Sequence, residues 1–376
     1  MNSTSHAGKV LGLRLALSAR VLALAAAVLT AVAGPAAAGL PDYVYHGMGT
    51  LGGNGALAQD INSDGVFAGS SQIAFPTQDH AVTGRYPGAL EDLGTMGGIK
   101  STAWAINDRG DVVGNYMDDL GTYHAYILRP HQLPVTVPPL AGSECASLVG
   151  INDSGVAVGF SFRFTGGNYR AMIWDPVYGS RALAGLGEVT SFAHAINNAG
   201  VVTGQANSQA FRWSQSGGAQ TLEGGEAVGS AINNAGVIAG TLIAGDDSRA
   251  VIWIDDQPPL VLGTLGAFWS DASGINNLNQ VVGGSIRGLR EQAYVWSAES
   301  GMVALPVPEY TVSSHAYAIN DLGWIVGSVS VETPGGTRSS IAVWEPVPEP
   351  ASLLVLAFGL AAAALSRTRS RTRLCS

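Results

Sequence analysis

Seven times along its 376 residues this chain repeats an Ile-Asn pair, at Ile61, Ile106, Ile151, Ile196, Ile232, Ile275 and Ile319. Each time a glycine follows eight residues after the isoleucine: Gly69, Gly114, Gly159, Gly204, Gly240, Gly283 and Gly327. Four residues after it stands a glycine in six copies and Asn279 in the remaining one. Successive copies lie 45, 45, 45, 36, 43 and 44 residues apart. A unit of ~40 residues cannot bury an apolar face alone, so a serial repeat forces each unit onto its neighbours. The chain must be a stack of like units, open or closed.

Each copy reads as four short strands. The first ends in the Ile-Asn pair, as in Thr102-Ala103-Trp104-Ala105-Ile106-Asn107. A turn follows, in which Asn accepts from the backbone two residues on and the next glycine supplies a positive φ. Asn279 is the best non-glycine tolerant of that conformation, which argues for a backbone role. The second strand is β-branched or aromatic, as in Val201-Val202-Thr203 and Trp324-Ile325-Val326. After a loop of changing length, a third strand ends on an aromatic ring, as in Ala171-Met172-Ile173-Trp174 and Ala293-Tyr294-Val295-Trp296. These tryptophans are expected to pack between units. The fourth strand runs into a glycine-rich turn, clearest at Gly94-Thr95-Met96-Gly97 and Gly263-Thr264-Leu265-Gly266.

Four strands per ~40–45 residues in series predict an all-β fold, a seven-bladed β-propeller of four-stranded blades. The ends support closure. The last repeat stops at Trp344-Glu345-Pro346 without a fourth strand, and residues 42–52 read as a fourth strand without the other three. The N-terminal strand is therefore expected to complete the last blade, which removes an open sheet edge. An open β-solenoid competes, but a split unit has no purpose in an open stack. The expected organisation is 1–38 signal peptide, 39–346 propeller and 347–376 sorting segment.

Candidate chemistry is sparse. Asp60-Ile61-Asn62-Ser63-Asp64-Gly65 resembles the opening of a calcium loop, but the twelfth position is Ser71 and not a bidentate Glu. Asp60 is replaced in the other copies by Ala105, Gly150, Ala195, Ala231, Gly274 and Ala318. The match is a by-product of the turn, and no metal or other cofactor is implied. Seven asparagines, one per copy, could ring a central channel as ligands; each heads an Asx-type turn, and service to local backbone is the simpler reading. No Gly-x-Ser-x-Gly and no phosphate loop is present, so nothing in the sequence points to an enzyme. Cys145 is expected to be a small buried hydrophobe.

The two ends carry an address. Lys9, Arg14 and Arg20 precede an apolar run from Val21 to Ala33, and Ala36-Ala37-Ala38 offers small residues for cleavage after Ala38. That is the pattern of a secretory signal peptide. At the other end Val347-Pro348-Glu349-Pro350 precedes an apolar stretch from Ala351 to Leu365, then Arg367, Arg369, Arg371 and Arg373. Fifteen helical residues reach only about 22 Å, short of a ~30 Å hydrocarbon core. The segment resembles the PEP-CTERM sorting signal of Gram-negative bacteria. That resemblance implies processing by an exosortase, transient membrane contact through the C-terminal helix, and delivery to the cell surface or extracellular matrix. Without both ends the charge is 12 − 27 = −15, since Glu349 lies in the C-terminal segment, and this excludes a basic nucleic-acid footprint.

The repeat itself, Ile-Asn-(Asp/Asn)-x-Gly-x-x-x-Gly followed by Ala-aromatic-x-Trp and Leu-Gly-x-Leu-Gly, resembles the HAF repeat of exported bacterial proteins. The resemblance implies architecture and export, and no activity. Departures fall at Ala81-Val82-Thr83, which lacks the aromatic end, and in the fourth strands of repeats two, four and six, where less regular blades are expected. Function is sought in the loops between second and third strands, whose lengths change most. They carry Tyr116, Asp118, Asp119, Arg163, Tyr169, Asp246, Asp247 and Arg287. Aromatic faces beside carboxylates and guanidinium groups suit sugar stacking with hydroxyl hydrogen bonds. The expectation is a non-catalytic surface component that binds exopolysaccharide or a surface protein. An extracellular glycan hydrolase or lyase is the alternative.

Overall fold

Every Ile-Asn pair closes one strand, and the turn behind it sends the chain back antiparallel. A computed structural model describes residues 40–74, 78–164, 168–187, 189–245 and 247–347. Ala36, Ala38, Asp246, Pro348, Glu349, Pro350 and the C-terminal apolar segment lie outside the described residues. The described chain forms seven four-stranded antiparallel sheets, the blades of a β-propeller. Six of them follow sequence order, beginning at Gly52, Lys100, Cys145, Ser191, Ala227 and Gly274. The seventh takes Thr311–Ile319, Ile325–Thr333 and Gly336–Val347 and adds Asp42–Gly49 as its outermost strand. Asp42 pairs with Val347 and Tyr45 with Trp344 across that closure.

All seven fourth strands are present, including those of repeats two, four and six at Val135–Val137, Gly218–Thr221 and Gly301–Ala304. The sequence departures there do not interrupt the sheets, because the outermost strand needs only a few backbone bonds and little side-chain burial. In repeat one the missing aromatic end is replaced across the ladder. Gly84 pairs with Phe67, whose fully buried ring fills the space.

The core lies between blades and not inside them. Seven buried apolar clusters occupy the seven junctions, and the one joining the last blade to the first sets Ala58, Ile61 and Phe67 against Val326, Ile341 and Val343. Tryptophan N–H groups add ties to the preceding blade, Trp213 to the Ala184 carbonyl at 3.0 Å and Trp344 to the Pro306 carbonyl at 2.7 Å. Cys145 is buried and unpaired.

The two repeated glycines have different causes. Gly110 and Gly200 have φ of 78° and 77°, and Asn279 sits at 58° in the same turn. Gly114 and Gly204 instead lie beneath a β-bulge, where a Cβ would overlap the carbonyl oxygen of Thr102 or Phe192. The bulge leaves over the residue two before the isoleucine. In blade 2, Ala103 pairs with Gly114 and Ala105 with Val113, so Trp104 drops out of the ladder. Bulges of this kind re-aim a side chain.

Candidate functional site

Each asparagine of the repeat works twice. Oδ1 of Asn152 accepts from the N–H groups of Ser154 and Val156, both at 3.1 Å, which is the expected Asx-type turn. Its Nδ2 then donates 3.1 Å to the carbonyl of Asn197 in the next blade. The same bond joins Asn62 to Asn107, Asn107 to Asn152, Asn197 to Asn233, Asn233 to Asn276, Asn276 to Asn320, and Asn320 back to Asn62. Seven buried amides thus close a ring. They are committed to the backbone at both ends, and the ring is a structural hub and not a ligand cage. A second circuit runs beside it. Residues Ser63, Asp108, Asp153, Asn198, Asn234 and Asn277 each donate their N–H to the side chain of the following blade's counterpart. Among the described residues no such bond joins Asp321 to Ser63, whose hydroxyl is the one short side chain in the series.

Above the hub lies a central cavity of about 300 Å³. The bulged residues form its wall: Gln59, Trp104, Val149, His194, Ser230, Ser273 and Tyr317. Asp60 belongs to it as well. Its Oδ1 accepts from Ile61 N–H at 2.8 Å and its Oδ2 from Ile106 N–H in the next blade at 2.9 Å. Burial, together with the charge of Asp108, pushes its carboxyl up to about 7 against the opposing pull of those two bonds. Both oxygens serve backbone donors, so Asp60 is a blade-to-blade tie.

Four residues before the isoleucine the copies carry Leu57, Thr102, Ser147, Phe192, Val228, Asp271 and His315. At two junctions this position meets the start of the preceding blade's third strand and the middle of its second, forming a socket. Between blades 3 and 4 the socket holds Phe160, Tyr169 and Phe192. Tyr169 lies 4.9 Å from Phe192, and Phe160 5.2 Å. The cluster extends through Phe162, stacked 5.0 Å from Tyr169, to Phe164 and to Tyr123 of blade 2. Lys100 Nζ stands 5.5 Å from the Tyr123 ring. His194 stacks on Phe192 at 6.2 Å, so this ridge reaches the cavity wall.

Between blades 6 and 7 the equivalent positions are Gly284, Glu291 and His315. Here His315 Nδ1 lies 2.6 Å from Glu291 Oε1, and Nε2 lies 3.0 Å from Ser273 Oγ. Ser273 Oγ donates 2.9 Å to Asp271 Oδ2, while Asp271 Oδ1 accepts from Gly284 N–H at 2.8 Å. Burial opposes the charge on His315, but the bond to Glu291 and the charges of Asp271 and Glu291 outweigh it and raise its pKa. At the opposite junction burial lowers the pKa of His194 despite its bond to the Gly229 carbonyl.

The loop residues expected from sequence divide. Tyr169 is central to the aromatic ridge. Arg163, in the same blade, bonds the Gly142 carbonyl. Tyr116 stacks on His124 at 5.0 Å, and Asp118 accepts from Leu120 N–H, Thr122 N–H and His124 Nε2. The His124 bond leads the causes that hold the Asp118 carboxyl below its ordinary range. Asp119 and Arg287 are exposed, and Asp247 pairs with Arg249. No contact among the described residues joins Asp247 or Arg287 to the ridge. The sequence reading missed Asp271, Ser273, Glu291 and His315. A signal was available for two of them: aligning the copies four residues before the isoleucine sets Asp271 and His315 apart from Leu57, Thr102, Ser147, Phe192 and Val228, whereas Ser273 and Glu291 carry no such mark.

Residues 346–370 match the PEP-CTERM protein-sorting motif. The tail carries an export address. No curated protein matches the chain. Among solved structures, virginiamycin B lyase from Staphylococcus aureus is similar at TM-score 0.55 and 10% identity, over 81% of this chain and 100% of that one. An arginine-to-alanine mutant of AofleA from Arthrobotrys oligospora gives 0.38 at 9% identity, over 72% and 91%. Trypanosoma rangeli sialidase gives 0.34 at 11% identity, over 84% and 56%. At these identities the first likeness concerns the fold alone. Among the described residues no helix is long and apolar enough to cross a membrane.

Proposed function

We propose that this chain is a surface protein that binds a polysaccharide across its variable-loop face, with the aromatic ridge of blades 2 to 4 as the stacking platform. The observation that carries this reading is the contiguity of Tyr123, Phe160, Phe162, Phe164, Tyr169 and Phe192, all half-buried except Phe164, which is 54% exposed. Rings left partly open present faces on which the C–H side of a sugar can stack, and Lys100 and Arg163 stand ready for its hydroxyls. Once residues 1–38 and 347–376 are removed the net charge is 12 − 27 = −15, which repels anionic polymers, so a neutral glycan is the favoured class. Export through a signal peptide ending near Ala38, with exosortase processing of the tail at the surface of a Gram-negative cell, belongs to the same proposal. So does the likeness of the repeat to HAF proteins.

Affinity electrophoresis in gels cast with the host's own exopolysaccharide tests this. The native protein should be retarded, and a Phe162→Ala/Tyr169→Ala double variant should lose roughly tenfold in affinity, at about 0.5–1.5 kcal/mol per ring contact. Equal mobility of both proteins with and without polymer would dispose of the idea. An enzyme on the same scaffold is the second reading, favoured by the hydrogen-bonded Ser273, His315 and Glu291.

A further inference from the structure

Ser273, His315 and Glu291 stand in the order that acyl transfer requires. The hydroxyl is 3.0 Å from one imidazole nitrogen, and the other nitrogen is 2.6 Å from a carboxylate. A nucleophile within hydrogen-bond reach of a base, itself oriented by a third group, is recognised by geometry and not by sequence position. Here the three come from two blades and are up to 42 residues apart, so no local motif joins them.

The junction is built for this contact. A Cβ on Gly284 would lie 2.6 Å from both Glu291 Oε1 and His315 Nδ1, so only glycine lets the pair meet over that strand. The other copies carry Ser70, Asn115, Phe160, Gln205, Thr241 and Ser328 at this position. Ser273 is itself part of the wall of the 300 Å³ cavity, a volume at the lower end of small-ligand pockets.

We propose that Ser273 is a nucleophile toward small carboxylic esters, with His315 as general base and Glu291 as the positioning residue that orients its ring. Ser273 Oγ bonds to the ester carbonyl carbon while its proton passes to His315 Nε2. The C–O bond to the alcohol then breaks, and the alcohol leaves with that proton. Water attacks the acyl-serine, again giving a proton to Nε2, which returns it to Oγ as the acid departs. No oxidant or reductant is needed. This activity does not depend on the aromatic ridge.

Asp271 sets the working range. Its Oδ2 is 2.9 Å from Ser273 Oγ and 3.5 Å from His315 Nε2, so it competes for the serine proton and favours the imidazolium. The groups facing His315 are the Asp271 and Glu291 carboxylates and the Tyr317 ring at 4.5 Å, with Arg290 bonding the Thr311 carbonyl on the same strand. The base is free only after His315 loses its proton, so the rate should climb with pH above the ordinary histidine range.

Two measurements decide it: p-nitrophenyl acetate hydrolysis from pH 6 to 9.5, and labelling by a fluorescent alkyl-fluorophosphonate with the modified peptide mapped by mass spectrometry. Expected are hydrolysis rising with pH, label on Ser273, and at least tenfold loss in Ser273→Ala. Asp271→Asn should move the rising limb to lower pH. Label absent from Ser273 in the native protein would overturn the proposal whether or not the alanine variant folds. So would hydrolysis unchanged in a Ser273→Ala protein of native melting temperature.

Discussion

At the scale of single residues, the asparagines and Asp60 show how one side chain can hold two blades. Asp60 does so at a cost, since its carboxyl is pushed up to about 7. A raised acid binds more protons folded than unfolded between its two pKa values, so its contribution to stability falls as pH rises from about 4 to 7. Asp60→Ala, which installs the residue of four other copies, should remove that decline. The melting-temperature difference between variant and native protein should therefore grow in the variant's favour from pH 4 to pH 8. A difference independent of pH would contradict this account of Asp60. The sequence revealed the acceptor half of each asparagine, because an Asx turn is local. The donor half was invisible, because its partner lies 36 to 45 residues away, or across the chain ends at Asn62 and Asn320. The polar constellation around His315 escaped for the same reason. Its members share repeat positions with apolar residues, and only superposing the copies brings them into view.

At the scale of the element, the first two strands of six blades are shaped by two glycines that sequence spacing alone cannot tell apart, with Asn279 standing in for one of them in the seventh. One answers a left-handed turn and the other a carbonyl pressed against the bulge. They should separate on substitution. Gly200→Ala strains the turn by about 1–2 kcal/mol, and Gly200→Asn, as in the Asn279 copy, should cost less. Gly204→Ala drives a methyl into the Phe192 carbonyl and should cost about 3 kcal/mol or more, since backbone must move. Denaturant midpoints at constant m-value would rank them, and a milder Gly204→Ala would refute the close-approach reading. The strand pattern, the turn and the tryptophan ends were all legible because they follow from local geometry. The bulge was not, since an extra residue in a strand leaves no composition signal. It is nevertheless what delivers Trp104, His194 and Tyr317 to the cavity.

At the scale of the whole molecule, closure rests on the pairing of Asp42–Gly49 with Gly336–Val347, eight residues where the other outermost strands have three or four. Tyr45 also packs its ring 6.2 Å from Trp344 across that seam. Deleting residues 42–49 should lower the melting temperature by about 10 °C or more, or cause aggregation through the bared strand. An unchanged melt and a monomeric sedimentation profile would show the seam to be dispensable. The seam has a directional consequence. In a propeller blade the third strand runs from the loop side to the hub side, and here it ends at Val347, beside Asp42. The match to the sorting motif begins at residue 346, inside that strand. The described chain therefore leaves the ring on the side of the asparagine turns. The variable loops lie on the far side, so strand polarity alone puts the chain's exit and its most variable loops on opposite faces.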